Sequence, residues 1–155
     1  MSLIPVGFSI SYIQNFVTLV SGIYLFFSSY SDINNKITQQ TAKVIDLKII
    51  NSIHELDLNH TIKVLESLIL EINKKDISTY KYPDTLFICI DSIRQCFEDI
   101  RIQLDIITTR LQYNTSLYFF KTIRSYGFDN RIKQLNILKA VLDERKKLLL
   151  HIISQ

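Results

Sequence analysis

The sequence predicts an all-α protein, built as a four-helix bundle with long helices packed at shallow antiparallel angles. Its 155 residues include only three Gly and two Pro, too few for the frequent turns of an all-β protein. Apolar residues recur at steps of three and four along most of the chain, the spacing of one helix face. Hydrophobic residues make up 47% of the chain, enough for a core. We therefore expect a single domain, residues 1–155, of up to five long helices and a short brace helix.

The chain begins with a segment that carries no charge. All 18 Lys and Arg and all 15 Asp and Glu residues lie from Asp32 onwards. Residues 1–31 are predicted to form an apolar helix whose uncharged polar side contains Ser11, Gln14, Asn15, Thr18, Ser21 and Gly22. Its apolar side, which is also our candidate surface for membrane insertion, contains Ile10, Ile13, Phe16, Val17, Val20, Ile23, Tyr24 and Phe27.

Two interpretations of this first helix remain open. In one, it is simply part of the bundle core. In the other, the bundle shelters it until a trigger releases it into a bilayer, and the absence of charge favours this because a central Asp or Lys would add about 3 kcal/mol to insertion. The polar positions and the unflanked start weigh against a permanent membrane span, and the absence of basic residues at the start weighs against a signal peptide.

The next two helices are predicted from shorter patterns. A second helix runs from near Asp32 to about His54, and residues 57–59 interrupt it, with Asp57 or Asn59 as a cap. A third helix carries an apolar face of Ile62, Leu65, Leu68, Ile69 and Ile72. Residues 76–84 form a loop that ends at Pro83, a residue suited to the start of a helix.

The strongest pattern is a heptad stripe over nearly four heptads. Alternating steps of four and three residues join Leu86, Ile90, Ile93, Phe97, Ile100, Leu104, Ile107 and Leu111. Residues 114–116 are predicted to break this helix, and residues 117–123 to form the aromatic brace. Asp129 is expected to cap a last helix with the stripe Ile132, Leu135, Leu138, Leu142, Leu149 and Ile152.

No spacing in the sequence indicates catalysis or metal binding. His54 and His60 are six residues apart across a predicted break, whereas a zinc-protease pair needs a spacing of four with a Glu between. Cys89 and Cys96 are two helical turns apart, too far to form a disulfide with each other, and fit buried thiols of a reducing compartment. We therefore predict no enzyme, no cofactor and no metal site, and a cytoplasmic location.

Two basic groups are candidates for contact with anionic lipid: Lys74 and Lys75 near a helix end, and Arg145, Lys146 and Lys147 in the last helix. Each basic residue near an anionic membrane contributes about 1 kcal/mol. Alternatively, these basic residues are ordinary solvated side chains at helix ends, which is the more common situation for any one of them. The net charge of +3 is too small for a dedicated nucleic-acid binder.

The order of segments resembles a known group of domains. An aromatic pair, Phe119 and Phe120, leads through a short link to a helix carrying Ile132, Leu135, Asn136, Leu138 and Leu142. This resembles the HeLo and HeLo-like domains of fungi, the N-terminal bundle of mixed-lineage kinase domain-like pseudokinases and the helical domains of plant helper immune receptors. The nearly charge-free start is closer to the HeLo type.

The resemblance implies a cell-death effector of innate immunity. Such a bundle would respond to an upstream receptor or kinase-like domain, form homo-oligomers on activation, move from the cytoplasm to an anionic membrane and permeabilise it as a pore. The alternative is a soluble helical adaptor for protein–protein interaction, in which the first helix is core.

Overall fold

The structure is a computed structural model that describes residues 18, 20–23, 25, 51–116 and 128–155, including the backbone but not the side chains of residues 77 and 111–116. Within these ranges there is helix and no strand, which confirms an all-α protein. The long helices are α1 (Leu58–Asn73), α2 (Pro83–Ser116) and α3 (Phe128–Ile153). The described residues between 18 and 25, and residues 51–55, are also helical. The described ranges thus contain five helical stretches, and the exact four-helix arrangement stays a prediction.

The predicted interruption near residue 57 is confirmed. Residues 51–55 end a helix, the amide of Leu56 bonds to the carbonyl of Ile53 at 3.2 Å, and α1 begins at Leu58. Asp57 takes the N-cap position with a left-handed φ of 52°, a conformation that Asp tolerates better than most residues. Its side chain makes no capping hydrogen bond, so Asp57 works here through its backbone conformation.

Helix α1 buries the apolar face that the sequence indicates. Ile62, Leu65, Ile69 and Ile72 are buried, and Leu68 is partly buried against the same core. After α1 comes a short 3-10 helix (Ile77–Thr79), and Pro83 is the first residue of α2 as predicted.

Helix α2 is the longest element, with 34 residues, and its heptad stripe faces the core. The seven stripe residues whose side chains are described are fully buried: Leu86, Ile90, Ile93, Phe97, Ile100, Leu104 and Ile107. The prediction that residues 114–116 break the helix is wrong, because α2 continues through Ser116. Asn, Thr and Ser each cost only about 0.5 kcal/mol relative to good helix formers, too little to end a long packed helix.

Helix α3 begins two residues earlier than expected, because a cap at Asp129 would have made residue 130 the first helical residue. Its first residue is Phe128, which is buried, so Asp129 lies within the first turn instead of at the cap. A carboxylate there still interacts favourably with the positive end of the helix dipole. The stripe of α3 is confirmed, with five members buried and Ile132 partly buried against the core. The predicted brace, residues 117–123, lies outside the described residues.

Helices α2 and α3 form an antiparallel pair in heptad register. The thiol of Cys89 donates to the carbonyl of Arg145 at 3.7 Å, and the thiol of Cys96 donates to the carbonyl of Leu138 at 3.4 Å. One heptad further along α2, the Oε1 of Gln103 accepts a hydrogen bond from Nη1 of Arg131 at 3.1 Å. Each step of seven residues forward in α2 is therefore matched by seven residues back in α3, as in an antiparallel coiled coil.

Candidate functional site

The described part of the first helix is buried on one side only. Val20 and Ile23 have no exposed surface and belong to the same core cluster as the stripe of α2. Thr18 and Ser21 are exposed, and Leu25 is 68% exposed. The other six insertion candidates lie outside the described residues: Ile10, Ile13, Phe16, Val17, Tyr24 and Phe27. The helix therefore lies against the bundle, with an uncharged side facing solvent.

A close approach between Gly22 and Arg101 fixes where this helix meets α2. A Cβ atom added to Gly22 would lie 3.4 Å from Cδ of Arg101, at the short limit of ordinary van der Waals contact. The backbone of the first helix therefore lies close to the methylene stem of Arg101 at Gly22.

Arg101 is held in this position by two carboxylates of its own helix. Its Nη1 donates to Oδ2 of Asp105 at 2.9 Å, and both Nε and Nη2 donate to the carboxylate of Glu98. The hydrogen bond to Glu98 is the main cause that raises the pKa of Arg101 above its usual value. Since the partners lie one turn before and one turn after Arg101, the guanidinium is anchored from both sides.

The two basic groups lie toward the same end of the bundle but on separate helices. Arg145 lies beside Cys89, near the start of α2, and Lys74 and Lys75 follow the end of α1, a short connection before α2 begins. All are exposed except Lys146, which is half-buried. No hydrogen bond or ion pair in the described ranges joins one group to the other.

Acidic neighbours partly neutralise both basic groups. Nζ of Lys74 lies 2.7 Å from Oε1 of Glu71, and Nζ of Lys147 lies 3.3 Å from Oε1 of Glu144. The hydrogen bond and the charge of Lys74 lower the pKa of Glu71 below its usual value. These exposed pairs reduce the positive charge available to an anionic surface while adding little stability.

The two thiols are core groups with low reactivity. Cys89 and Cys96 are both buried, as the sequence predicts. Burial raises the pKa of both thiols, and for Cys96 the nearby charge of Asp99 adds to the effect and brings the pKa to about 11. A thiol with so high a pKa is a poor nucleophile at neutral pH, because the thiolate is the reactive form.

The buried thiol of Cys96 should make the fold less stable as the pH rises into the alkaline range. An unfolded chain releases this proton near the ordinary value of 9.0, and the folded chain only near 11. The thiol's contribution to stability is therefore complete below the first value and lost as pH rises through the second. Urea denaturation at about pH 8 and about pH 10.5 should show a loss about 2 kcal/mol larger for the wild type than for Cys96→Ala. Equal losses in the two proteins would contradict the assignment.

The three histidines occupy exposed positions. His54 and His60 lie on either side of the junction at Asp57, and His151 is in the last turn of α3. Within the described residues there is no group of three His, Cys, Asp or Glu side chains arranged to hold a metal ion.

Comparisons with known proteins give no match, so the class of this protein is defined by its fold alone. No protein-family model, curated protein or solved structure matches the chain. Among the described residues, no helix combines the length and the apolar character needed to cross a bilayer. The class that the structure defines is an all-α protein with a long antiparallel helix pair and an uncharged helix docked beside it.

The contact between Gly22 and Arg101 does not follow from the sequence. The helical pattern assigns Gly22 to the small polar side of the first helix and gives it no neighbour. Two features of the sequence mark these residues without pairing them: a glycine inside a helical pattern, which costs about 1 kcal/mol relative to Ala, and an Arg flanked by acidic residues at i−3 and i+4.

Proposed function

We propose that this protein is a cell-death effector bundle that oligomerises on activation, moves to an anionic membrane and permeabilises it. The observation that supports the proposal best is the one-sided docking of an uncharged helix. Thr18, Ser21 and Leu25 face solvent, whereas a water-facing helix of a soluble protein normally carries Lys and Glu on that side. In this proposal the uncharged side is retained because the helix later meets the apolar part of a bilayer.

The free energy lost when the helix leaves the bundle and the free energy gained when it enters a bilayer are of similar size. Undocking exposes Val20 and Ile23, which costs about 1.5–3 kcal/mol for each side chain. Entry into a bilayer buries the same side chains again and carries no large penalty for charge. Basic residues near the surface add about 1 kcal/mol each, although the ion pairs of Lys74 and Lys147 reduce this contribution.

The decisive test places one charge on the exposed side of the helix. Ser21→Asp should leave the folded protein unchanged, because Ser21 is exposed. Inside a bilayer the same aspartate costs about 3 kcal/mol. We expect the variant to fold as the wild type does by circular dichroism and thermal unfolding. It should lose most of the wild-type release of dye from vesicles that contain phosphatidylserine.

Ser21→Asn is the matched control, since it adds a polar side chain of similar size without charge. It should release dye nearly as well as the wild type. If chemically cross-linked wild-type oligomers release no dye, or if Ser21→Asp releases as much dye as Ser21→Asn, the proposed function is wrong.

The second candidate is a soluble helical adaptor for protein–protein interaction. The full burial of Val20 and Ile23 in the core cluster favours it, because the first helix then already has its permanent position. This candidate predicts no dye release by any variant, and no effect of Ser21→Asp beyond the surface charge.

A further inference from the structure

The structure brings together one glycine, one arginine and two carboxylates at the contact between the first helix and α2. We propose that Arg101, held between Glu98 and Asp105, is the seat on which the first helix docks, and that position 22 must carry a small residue, Gly or Ala, for the helix to reach it. We call this contact the Gly22–Arg101 clasp. Its role in controlling release of the helix rests on the proposed function, whereas its role in docking does not.

Arg101 is held in a fixed conformation to which the first helix can dock. A free arginine on a helix surface samples many rotamers, and closing another helix over it would cost entropy. Here Glu98 and Asp105 bind the guanidinium from both sides, so the methylene stem is already positioned. The apolar stem can then cover a neighbouring backbone while the charged group stays in water.

A Cβ atom at position 22 would lie 3.4 Å from Cδ of Arg101, so alanine fits there with little or no adjustment. A larger side chain, such as that of leucine, would compete with the stem of Arg101 for this space. We therefore expect leucine either to displace Arg101 from its two carboxylates or to move the helix away.

The clasp lies at the edge of the docked face. Gly22 and Arg101 are both half-buried, whereas Val20 and Ile23 of the same helix are fully buried. A change at this edge therefore acts on docking without removing any core side chain. The edge of the contact is also where opening of the helix would expose the least apolar surface at first.

The experiment uses the full chain in water, without lipid, and hydrogen–deuterium exchange of the peptide that covers residues 18–25. Gly22→Leu should raise the exchange of this peptide by about tenfold or more, because overpacking a close contact forces it apart. Peptides from the stripe of α2 should exchange as in the wild type, which shows that the rest of the protein remains folded.

Two control variants separate the clasp from other effects of leucine. Gly22→Ala gains at least as much helix propensity as Gly22→Leu, and Ser21→Leu adds the same leucine on the exposed side of the same helix. Neither should raise the exchange of residues 18–25. If Gly22→Leu exchanges no faster than Ser21→Leu, the clasp does not exist.

Arg101→Ala provides a test that does not depend on the leucine variant. Arg101 is partly exposed, so its loss should leave α2 folded but remove the seat, and exchange of residues 18–25 should rise. In this background, Gly22→Leu should have no further effect, because its steric partner is gone. Unchanged exchange in Arg101→Ala, or a full additional effect of Gly22→Leu, would overturn the proposal.

Dye release from phosphatidylserine vesicles then tests the link to function. Gly22→Leu and Ser21→Leu gain the same affinity for a bilayer, but only the first opens the clasp, so it should release dye faster. Faster exchange of residues 18–25 in Gly22→Leu without dye release would support the clasp as a docking contact and would reject the proposed function. Exchange that does not differ between the two variants would reject the clasp, whatever the vesicles show.

Discussion

Replacement of Phe97 by alanine is expected to lower the free energy of unfolding by about 3–5 kcal/mol. Phe97 lies in the middle of the stripe of α2 and has no exposed surface. It is among the largest fully buried side chains in the described part of the chain. Its removal leaves a cavity that surrounding helices fill only in part, and this loss is a large share of the roughly 5–15 kcal/mol that stabilises a typical domain.

Urea denaturation followed by circular dichroism measures this effect. Gln95→Ala is the matched control, because Gln95 lies on the exposed side of the same helix two residues earlier. It should change the free energy of unfolding by no more than about 0.5 kcal/mol. A loss below about 1 kcal/mol for Phe97→Ala would mean that the stripe of α2 does not form the core.

Replacement of Ile23 by aspartate is expected to detach the first helix and to lower stability by about 3–5 kcal/mol. Ile23 is fully buried in the core cluster, and an aspartate there would place an unpaired charge in an apolar site. The local consequence is undocking of the helix, since water is the only environment in which the charge is well solvated.

The variant Ser21→Asp places the same charge two residues away on the exposed side, and it serves as the control. Thermal unfolding together with hydrogen exchange of residues 18–25 should separate the two variants clearly. Equal behaviour of Ile23→Asp and Ser21→Asp would show that the helix is not docked through Ile23.

The sequence predicts the helices well because their burial is periodic. The stripe of α2 alternates steps of four and three, and a pattern sustained over this length is typical of a long helix with one buried face. The ends of helices are harder to predict. Ser116 and Asp129 have the right residue types for a break and a cap, but the energies involved are small compared with the packing of a long helix.

The candidate site was predictable only in part. Periodicity assigns Val20 and Ile23 to one face of the first helix, and the ion pair of Lys74 with Glu71 follows from their spacing of three residues. Periodicity does not say which neighbour a face meets. The approach of Gly22 to Arg101 joins residues far apart in the chain, so it depends on the angle and the distance between two helices, which no local pattern encodes.

The heptad register of α2 and α3 places two cysteines where their rates of chemical modification report on the separation of the two helices. The thiolate is the form of cysteine that attacks a thiol reagent, and both thiols are buried with their Sγ atoms facing the carbonyls of Arg145 and Leu138. The rate at which each cysteine is modified therefore measures how often α3 separates from α2 at that heptad. Cys89 reports on the end where α3 finishes, and Cys96 on a point one heptad deeper. A difference between the two rates would show that the pair frays from this end, and equal rates that it separates as one unit.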